Sequence, residues 1–391
     1  MRVLGMISGT SHDGIDVAVV DFAQRAGVLE GTLGFSGSRP YDPSLRRLLM
    51  DMLPPRPTTL AGVCEIDTRI GQAFADAAEW AIGEAGAVDA VCSHGQTVFH
   101  WVEDGRALGT LQLGQPAWIA ERVGVPVVAD IRARDLTVGG QGAPLASLVD
   151  FLLLNQRSGV SGALNLGGIS NLTVVSAEGV SAWDIGPANA LMDAVVADRG
   201  LDPRGYDADA RIAREGTVDD RLLARLLAEP YYAQVPPKST GKELFNLAYL
   251  QRELDAAGSA PSDADLLATL VELTARTVAD AVRDAGVEYL AVSGGGCRNP
   301  LLMDRLGALL PGVELVLTDV LGMPADTKEA ILMALIGWCT LHGVPGTVLG
   351  GTGALEPRIL GSIVPGRGPL VLPDPVPAIT GLRLSGERTR P

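Results

Sequence analysis

Cysteine is scarce: the 391-residue chain has four, Cys64, Cys92, Cys297 and Cys339, and no two form a CxxC pair. That spacing excludes a thiolate zinc site and a disulfide framework, and it fits a reduced, cytoplasmic chain. Aromatic residues make up only 4%, too few for platforms that stack single-stranded bases. Positive charge is also short. Lys+Arg 31 against Asp+Glu 46 leaves −15, which opposes the phosphate neutralisation that non-specific nucleic-acid binding requires. Lysine itself occurs only at Lys238, Lys242 and Lys328. The longest apolar stretch, near residues 331–341, falls short of the roughly 20 residues that cross a bilayer. The opening MRVLGMISGT lacks the long apolar core and small-residue cleavage site of a signal peptide. Neither nucleic acid nor membrane is therefore expected as a partner. Several catalytic signatures are missing too. GxxxxGK[ST] fails because Glu243 follows Gly241-Lys242, the glycines from Gly294 do not continue as GxGxxG, and GxSxG and HExxH do not occur.

What is plentiful is glycine, 48 residues, in a chain that is 47% hydrophobic and 20% charged. This is a globular composition, and the length suits two or three domains. Apolar runs bounded by glycine predict strands at 2–8 and 15–22, joined by Gly9-Thr10-Ser11-His12-Asp13-Gly14. A 3.6-residue period through Ile66, Ile70, Phe74, Ala77 and Ala81 predicts a helix at 60–86. Further strands are expected at 87–93 and 125–129, and helices at 117–123 and 144–154. A second hairpin follows, with strands at 162–166 and 171–175 about Gly167-Gly168-Ile169-Ser170. Then come a strand at 180–184, a turn at 185–189 and a helix at 190–198. Beyond these, helices are expected at 266–285, 300–310 and 328–341, and strands at 289–293 and 313–317. Strand, glycine turn, then strand or helix occurs twice over. That pattern predicts an α/β protein of two similar halves with ligands at strand ends.

Three glycine turns are candidate nucleotide contacts. In the first, Gly9, Thr10, Ser11, His12, Asp13, Gly14, Ile15 and Asp16 offer backbone amides and hydroxyls to phosphate oxygens. Asp13 or Asp16 suits Mg²⁺ held through water. The second offers Gly167, Gly168, Ser170 and Asn171, and the third Gly294, Gly295, Gly296 and Asn299, where a flat ligand can lie against the backbone. Each also reads as an ordinary turn. Asp184, at the end of an expected strand, suits a general base, with helix capping as the alternative; Asn189 is available as the cap. His94, Gln96 and Thr97 lie in a polar loop suited to a polyhydroxylated substrate, although a histidine there also fits a satisfied core position. Arg132 or Arg134 can grip a carboxylate or pair with Asp130 or Asp135. Glu329 can face a ligand or serve as a first-turn charge of its helix.

Together, Gly5-Met6-Ile7-Ser8-Gly9-Thr10-Ser11-His12-Asp13-Gly14-Ile15-Asp16 and segments 93–97, 139–144, 165–171, 184–189, 236–243, 293–299 and 326–330 resemble the anhydro-N-acetylmuramic acid kinase family. This is a branch of the actin-like ATPase and sugar-kinase superfamily, and the resemblance runs in order over roughly residues 3–365. It implies two ribonuclease-H-like lobes with an ATP and sugar cleft between them, the first of residues 1–133 plus about 345–375, the second of 134–344. It implies ATP and Mg²⁺ as cofactors, and Asp184 as the base that activates water. It places His94, Gln96, Thr97, Arg132, Gly140, Asn189 and Glu329 near the sugar. It implies conversion of 1,6-anhydro-N-acetylmuramic acid, ATP and water to N-acetylmuramic acid 6-phosphate and ADP in cell-wall recycling, by a cytoplasmic homodimer. A levoglucosan-type or plain sugar kinase is the alternative enzyme, and a non-catalytic nucleotide-binding module the alternative of another class.

Overall fold

In the computed structural model, which describes residues 1–386, the chain begins with β1 (Arg2–Ser8), β2 (Gly14–Arg25), β3 (Val28–Pro40), α1 (Pro43–Met52) and α2 (Leu60–Ala85). There follow β4 (Ala90–Glu103), β5 (Arg106–Leu113), α3 (Ala117–Val123), β6 (Val127–Ala129), α4 (Ala133–Leu136) and α5 (Ala146–Leu154). The middle of the chain forms β7 (Ser161–Leu166), β8 (Ile169–Ser176), β9 (Gly179–Pro187), α6 (Asn189–Asp198), α7 (Asp220–Leu227), α8 (Leu247–Ala257) and α9 (Asp263–Asp284). Last come β10 (Tyr289–Ser293), α10 (Pro300–Leu309), β11 (Glu314–Leu317), α11 (Lys328–Leu341), β12 (Ser362–Val364) and β13 (Gly381–Ser385). These elements sort into two units: Met1–Gln156 with the chain from Leu321 onward, and Arg157–Val320.

In the first unit, side-chain alternation along the strands builds two cores, one on each face of a sheet ordered β12-β6-β4-β1-β2-β3-β13, with β5 beside β4. Val3, Ile7, Ala18, Val20, Cys92 and Val128 pack with α5 and α11 through Leu148, Ile331, Leu335 and Trp338. Leu4, Met6, Val17, Val19, Val91 and Val127 pack with α2 and α3 through Ile70, Phe74, Ala77 and Ile119. The apolar run of α11 is buried along almost its whole length, which is why it carries no amphipathic stripe.

The second unit repeats the plan. Its sheet runs β11-β10-β7-β8-β9. In each unit the first three strands form an antiparallel meander, and two more then add in parallel beside the first strand. Two ribonuclease-H-like α/β units are thus present, as the echo between the two hairpins suggests. The core of the second unit joins Leu164, Leu172 and Val292 to α6 and α9 through Leu191, Val195, Leu270 and Val278.

The unit boundaries differ from those expected. Segments 134–156 and 321–344 belong to the first unit, because α5 and α11 supply one face of its core. Residues 93–97 lie inside β4, not in a loop; Gly95, at φ 71°, lets the strand pass a register shift opposite β1. Likewise β9 continues through Pro187, because Ile169 pairs with Pro187 and Ser170 with Gly186 across a bulge at Ser170/Asn171. The first and seventh helices were not expected, although each follows a capping side chain, Asp42 or Asp219.

Candidate active site

At the head of the first meander, the turn after β1 is closed by His12 N–H on the Gly9 carbonyl, 3.3 Å. Thr10 and Ser11 are exposed there, and Ser11 donates to Asp13 Oδ1 at 2.6 Å. Ile15 is 2% exposed and faces the α2 core, so its side chain is no ligand contact. Gln96, expected to touch substrate, is wholly buried. Its Nε2 donates to the carbonyls of Gly9 and Thr97 at 3.1 and 3.2 Å, and its Oε1 lies 2.6 Å from Ser8 Oγ. That amide is committed to holding the turn. Thr97 is half-buried, its hydroxyl accepting from Gln112 Nε2. Burial, then the charges of Asp13 and Asp326, raise the Asp16 carboxyl above its ordinary range, against a hydrogen bond from Ser38. Among the described residues no three metal-ligating side chains gather. Asp13 and Asp16 therefore fit a cation held mainly by waters and phosphate oxygens better than a protein cage.

Further along the same sheet, His94 Nε2 lies 2.7 Å from Arg132 Nε. A guanidinium can only donate, so Nε2 accepts and Nδ1 carries the proton that Gly95 O receives at 3.0 Å. Burial, reinforced by Arg132, lowers His94 to about 3: it is a neutral prop. Arg132 also donates from Nη1 to Gly142 O at 2.5 Å. Among the described residues its Nη2 makes no hydrogen bond, and neither Asp130 nor Asp135 forms an ion pair with it. Asp135 instead takes Gly142 N–H at 2.8 Å and Thr352 Oγ1 at 2.7 Å. Gly140 owes its lack of a side chain to this carboxylate, since a Cβ would lie 2.2 Å from Asp135 Oδ2. Glu329 lies in the first turn of α11; burial raises its carboxyl, Arg132 opposes that and Asp16 adds to it.

In the second unit, the turn Gly167-Gly168 joins β7 to β8, and its carbonyls take the N–H groups of Ala188, Asn189 and Ala190 at 2.9 to 3.0 Å. The turn therefore caps α6. Asn189 is the first residue of that helix rather than its cap, and its Nδ2 donates to Leu166 O at 3.2 Å. Ser170 is buried with its hydroxyl on Gly186 O, and Asn171 stands opposite Asp184 in the ladder. Of the third turn, Gly294 (φ 91°) and Gly296 are required by packing: a Cβ would meet Leu166 O at 2.7 Å or Leu166 Cβ at 2.6 Å. Gly295 has open space, its nearest neighbour being Asn189 Nδ2 at 3.8 Å. Asn299 caps α10, accepting from Leu302 N–H at 2.9 Å.

Asp184 lies near the end of β9, half-buried. Its Oδ2 accepts Ser239 Oγ–H at 2.8 Å and Thr240 N–H at 3.1 Å. Burial raises its pKa, those two donors lower it, and Glu243 raises it further. The result is a carboxylate whose pKa lies above its ordinary range, the direction that suits a general base. Residues 238–240 carried no individual role in the sequence, although segment 236–243 is one of those that carry the family resemblance and holds two of the three lysines.

A glycine hairpin heads each of the two ribonuclease-H-like sheets, and a carboxylate with a raised pKa lies on the third strand of the second. Residues 1–366 match the profile of the family described as Anhydro-N-acetylmuramic acid kinase. The anhydro-N-acetylmuramic acid kinase of Streptomyces coelicolor is 53% identical over 96% of each chain, and that of Rhodococcus erythropolis 47% over 94% of each. Among solved structures, a ROK family glucokinase from Streptomyces griseus in complex with glucose and AMPPNP matches 86% of this chain and 99% of its own, at 14% identity and TM-score 0.37. The chain belongs to the anhydro-N-acetylmuramic acid kinase family and is an enzyme, a phosphotransferase. No described helix is long and apolar enough to cross a membrane.

Proposed function

We propose that this kinase converts 1,6-anhydro-N-acetylmuramic acid, ATP and water to N-acetylmuramic acid 6-phosphate and ADP, as a cytoplasmic homodimer serving cell-wall recycling. The observation that carries the reading is Asp184, a carboxylate pushed up by burial and held by one oxygen only. It takes a proton from the water that attacks C1. The C1–O6 bond breaks, and O6 accepts the γ-phosphoryl group as ADP departs. In the first unit the exposed Thr10 and Ser11 hydroxyls and nearby amides are the phosphate donors. In the second, the Gly167-Gly168 turn and open Gly295 are the nucleotide contacts. Asp13 and Asp16 would hold Mg²⁺ through water, and the ion would supply charge neutralisation on the phosphates.

ADP release with Mg-ATP, compared across the anhydro-muramic sugar, levoglucosan, N-acetylmuramic acid and glucose, tests the reading. In ¹⁸O-water, ring opening puts one solvent oxygen into the sugar product; a plain kinase puts in none. No sugar-dependent ADP release would refute the proposal.

Arg132 is the proposed grip on the sugar's carboxylate, through the Nη2 that makes no hydrogen bond among the described residues. Lysine cannot reproduce a fork that holds His94, Gly142 O and a carboxylate together. Arg132→Lys is expected to raise KM for the sugar at least about tenfold and leave KM for ATP unchanged. Equal rises in both would remove Arg132 from the sugar. For Gly168→Val, the first added carbon meets only Lys242 Cε at 3.4 Å and Ala190 Cβ at 3.8 Å, so folding survives. ATP affinity is expected to fall at least about tenfold as the side chain occupies phosphate space. Unchanged affinity in an ATP titration would make the turn purely structural.

A further inference from the structure

Among the described residues every hydrogen bond to Asp184 falls on one carboxylate oxygen or on its backbone. Oδ2 receives the Ser239 hydroxyl at 2.8 Å and the Thr240 amide at 3.1 Å. Oδ1 receives nothing among the described residues. The Asp184 N–H donates to Lys238 O at 3.1 Å, and its carbonyl accepts Tyr231 O–H at 2.7 Å. Lys238 is engaged by backbone carbonyls. Its Nζ donates to the carbonyls of Tyr231 and Tyr232 at 3.2 and 2.9 Å and sits 4.8 Å from the centre of the Tyr231 ring. The lysine ties residues 230–233 to the loop; the loop and Tyr231 then fix Asp184 from both ends.

We infer that residues 238–240 are the orienting clamp of Asp184, that Ser239 is a positioning residue for the reaction, and that Oδ1 is the oxygen that takes the proton. This rests on the reading of Asp184 as the base. Two donors on one oxygen stop rotation of the carboxylate and leave the lone pairs of the other directed away from the loop. They also favour the anion, against burial and the charge of Glu243. The other ionisable groups at this spot are the Tyr231 phenol, engaged with the Asp184 carbonyl, and the Lys238 ammonium, engaged with the two tyrosine carbonyls. Asn171, opposite on β8, is uncharged.

The test is the pH profile of kcat and kcat/KM for the full chain with Mg-ATP and the anhydro sugar, in four forms: wild type, Ser239→Ala, Ser239→Thr and Asp184→Asn. Ser239 is exposed, so its loss leaves the fold intact. Without the hydroxyl the carboxylate gains protons more readily, and the base must be unprotonated to act. Ser239→Ala is therefore expected to move the acid limb to higher pH by about one unit and to lower kcat about tenfold. KM for both substrates stays within twofold, and Ser239→Thr restores both properties. An inert Asp184→Asn beside a Ser239→Ala of wild-type kcat and acid limb overturns the clamp alone. A Ser239→Thr as impaired as Ser239→Ala overturns it too, because the hydroxyl is then not what matters. An active Asp184→Asn overturns the base reading and the clamp with it.

Discussion

Asp184→Asn is expected to cut turnover by about a thousandfold or more while ATP affinity stays within a few-fold. The substitution preserves shape, so any loss is chemical. Ser239 and Thr240 both donate to Oδ2, and the asparagine amide must meet them with its oxygen. Its NH₂ then falls where Oδ1 was, putting donors in place of the lone pair that receives the proton. The glycine turn at the head of the meander is bound through backbone groups to α6 and is untouched, which keeps ATP binding. Wild-type activity should fall as pH drops through the raised pKa of this carboxyl; the residue of activity in the variant should lack that limb. ADP release across pH, with an equilibrium ATP titration, measures all three. Near-wild-type turnover would remove Asp184 from the reaction.

Elements whose signal is local were legible in the sequence. Residues 2–8, 117–123, 289–293 and 328–341 begin and end where apolar runs and glycine punctuation place them. The site is legible to the extent that its residue types are. What sequence order cannot convey is which polar groups the fold consumes. Gln96 and His94 look equally available beside one another, yet Gln96 is spent on the Gly9 turn and His94 on Arg132, 38 positions away. Asp135 finds its partner in Thr352, across 217 positions. The glycines divide for a similar reason. Gly294 and Gly296 are needed for contact with β7, whereas Gly295 and Gly168 leave room, and nothing local separates packing from ligand approach. The unit boundary was missed because α5 and α11 are mostly apolar, and such a helix does not announce which sheet it covers.

Gly5→Ala is the change expected to harm stability most. Gly5 sits on β1, between β2 and β4, on the face that α11 crosses. A Cβ there would lie 2.0 Å from Ala330 O and 2.3 Å from Ala334 N. Both are backbone atoms of a buried helix, so no side chain can swing aside. Relief requires lifting α11 from the sheet, which loosens Ile331, Leu335 and Trp338 together. Adding a methyl to a strand glycine ordinarily stabilises by restricting the unfolded chain. Here that gain, about 0.4–1 kcal/mol, is opposed by overpacking of 1–3 kcal/mol or more where the surroundings are rigid. A net loss of roughly 1–2.5 kcal/mol lowers Tm by about 2–10 °C in a unit this large. Gly83 in α2 is the control: nothing lies within 4 Å of its added carbon, so Gly83→Ala should hold or raise Tm by up to about 3 °C. Because Glu329 directly precedes Ala330 on α11, a shifted helix also moves Glu329, whose charge acts on Arg132. Activity in the Gly5→Ala chain should therefore fall below wild type even at temperatures where the protein remains folded. Thermal unfolding followed by circular dichroism, beside an activity assay at 20 °C below the lower Tm, reads both effects. Equal Tm values for the Gly5→Ala and wild-type chains would mean that α11 yields to the strand at no cost, and that its close contact with β1 is not what holds this face of the unit together.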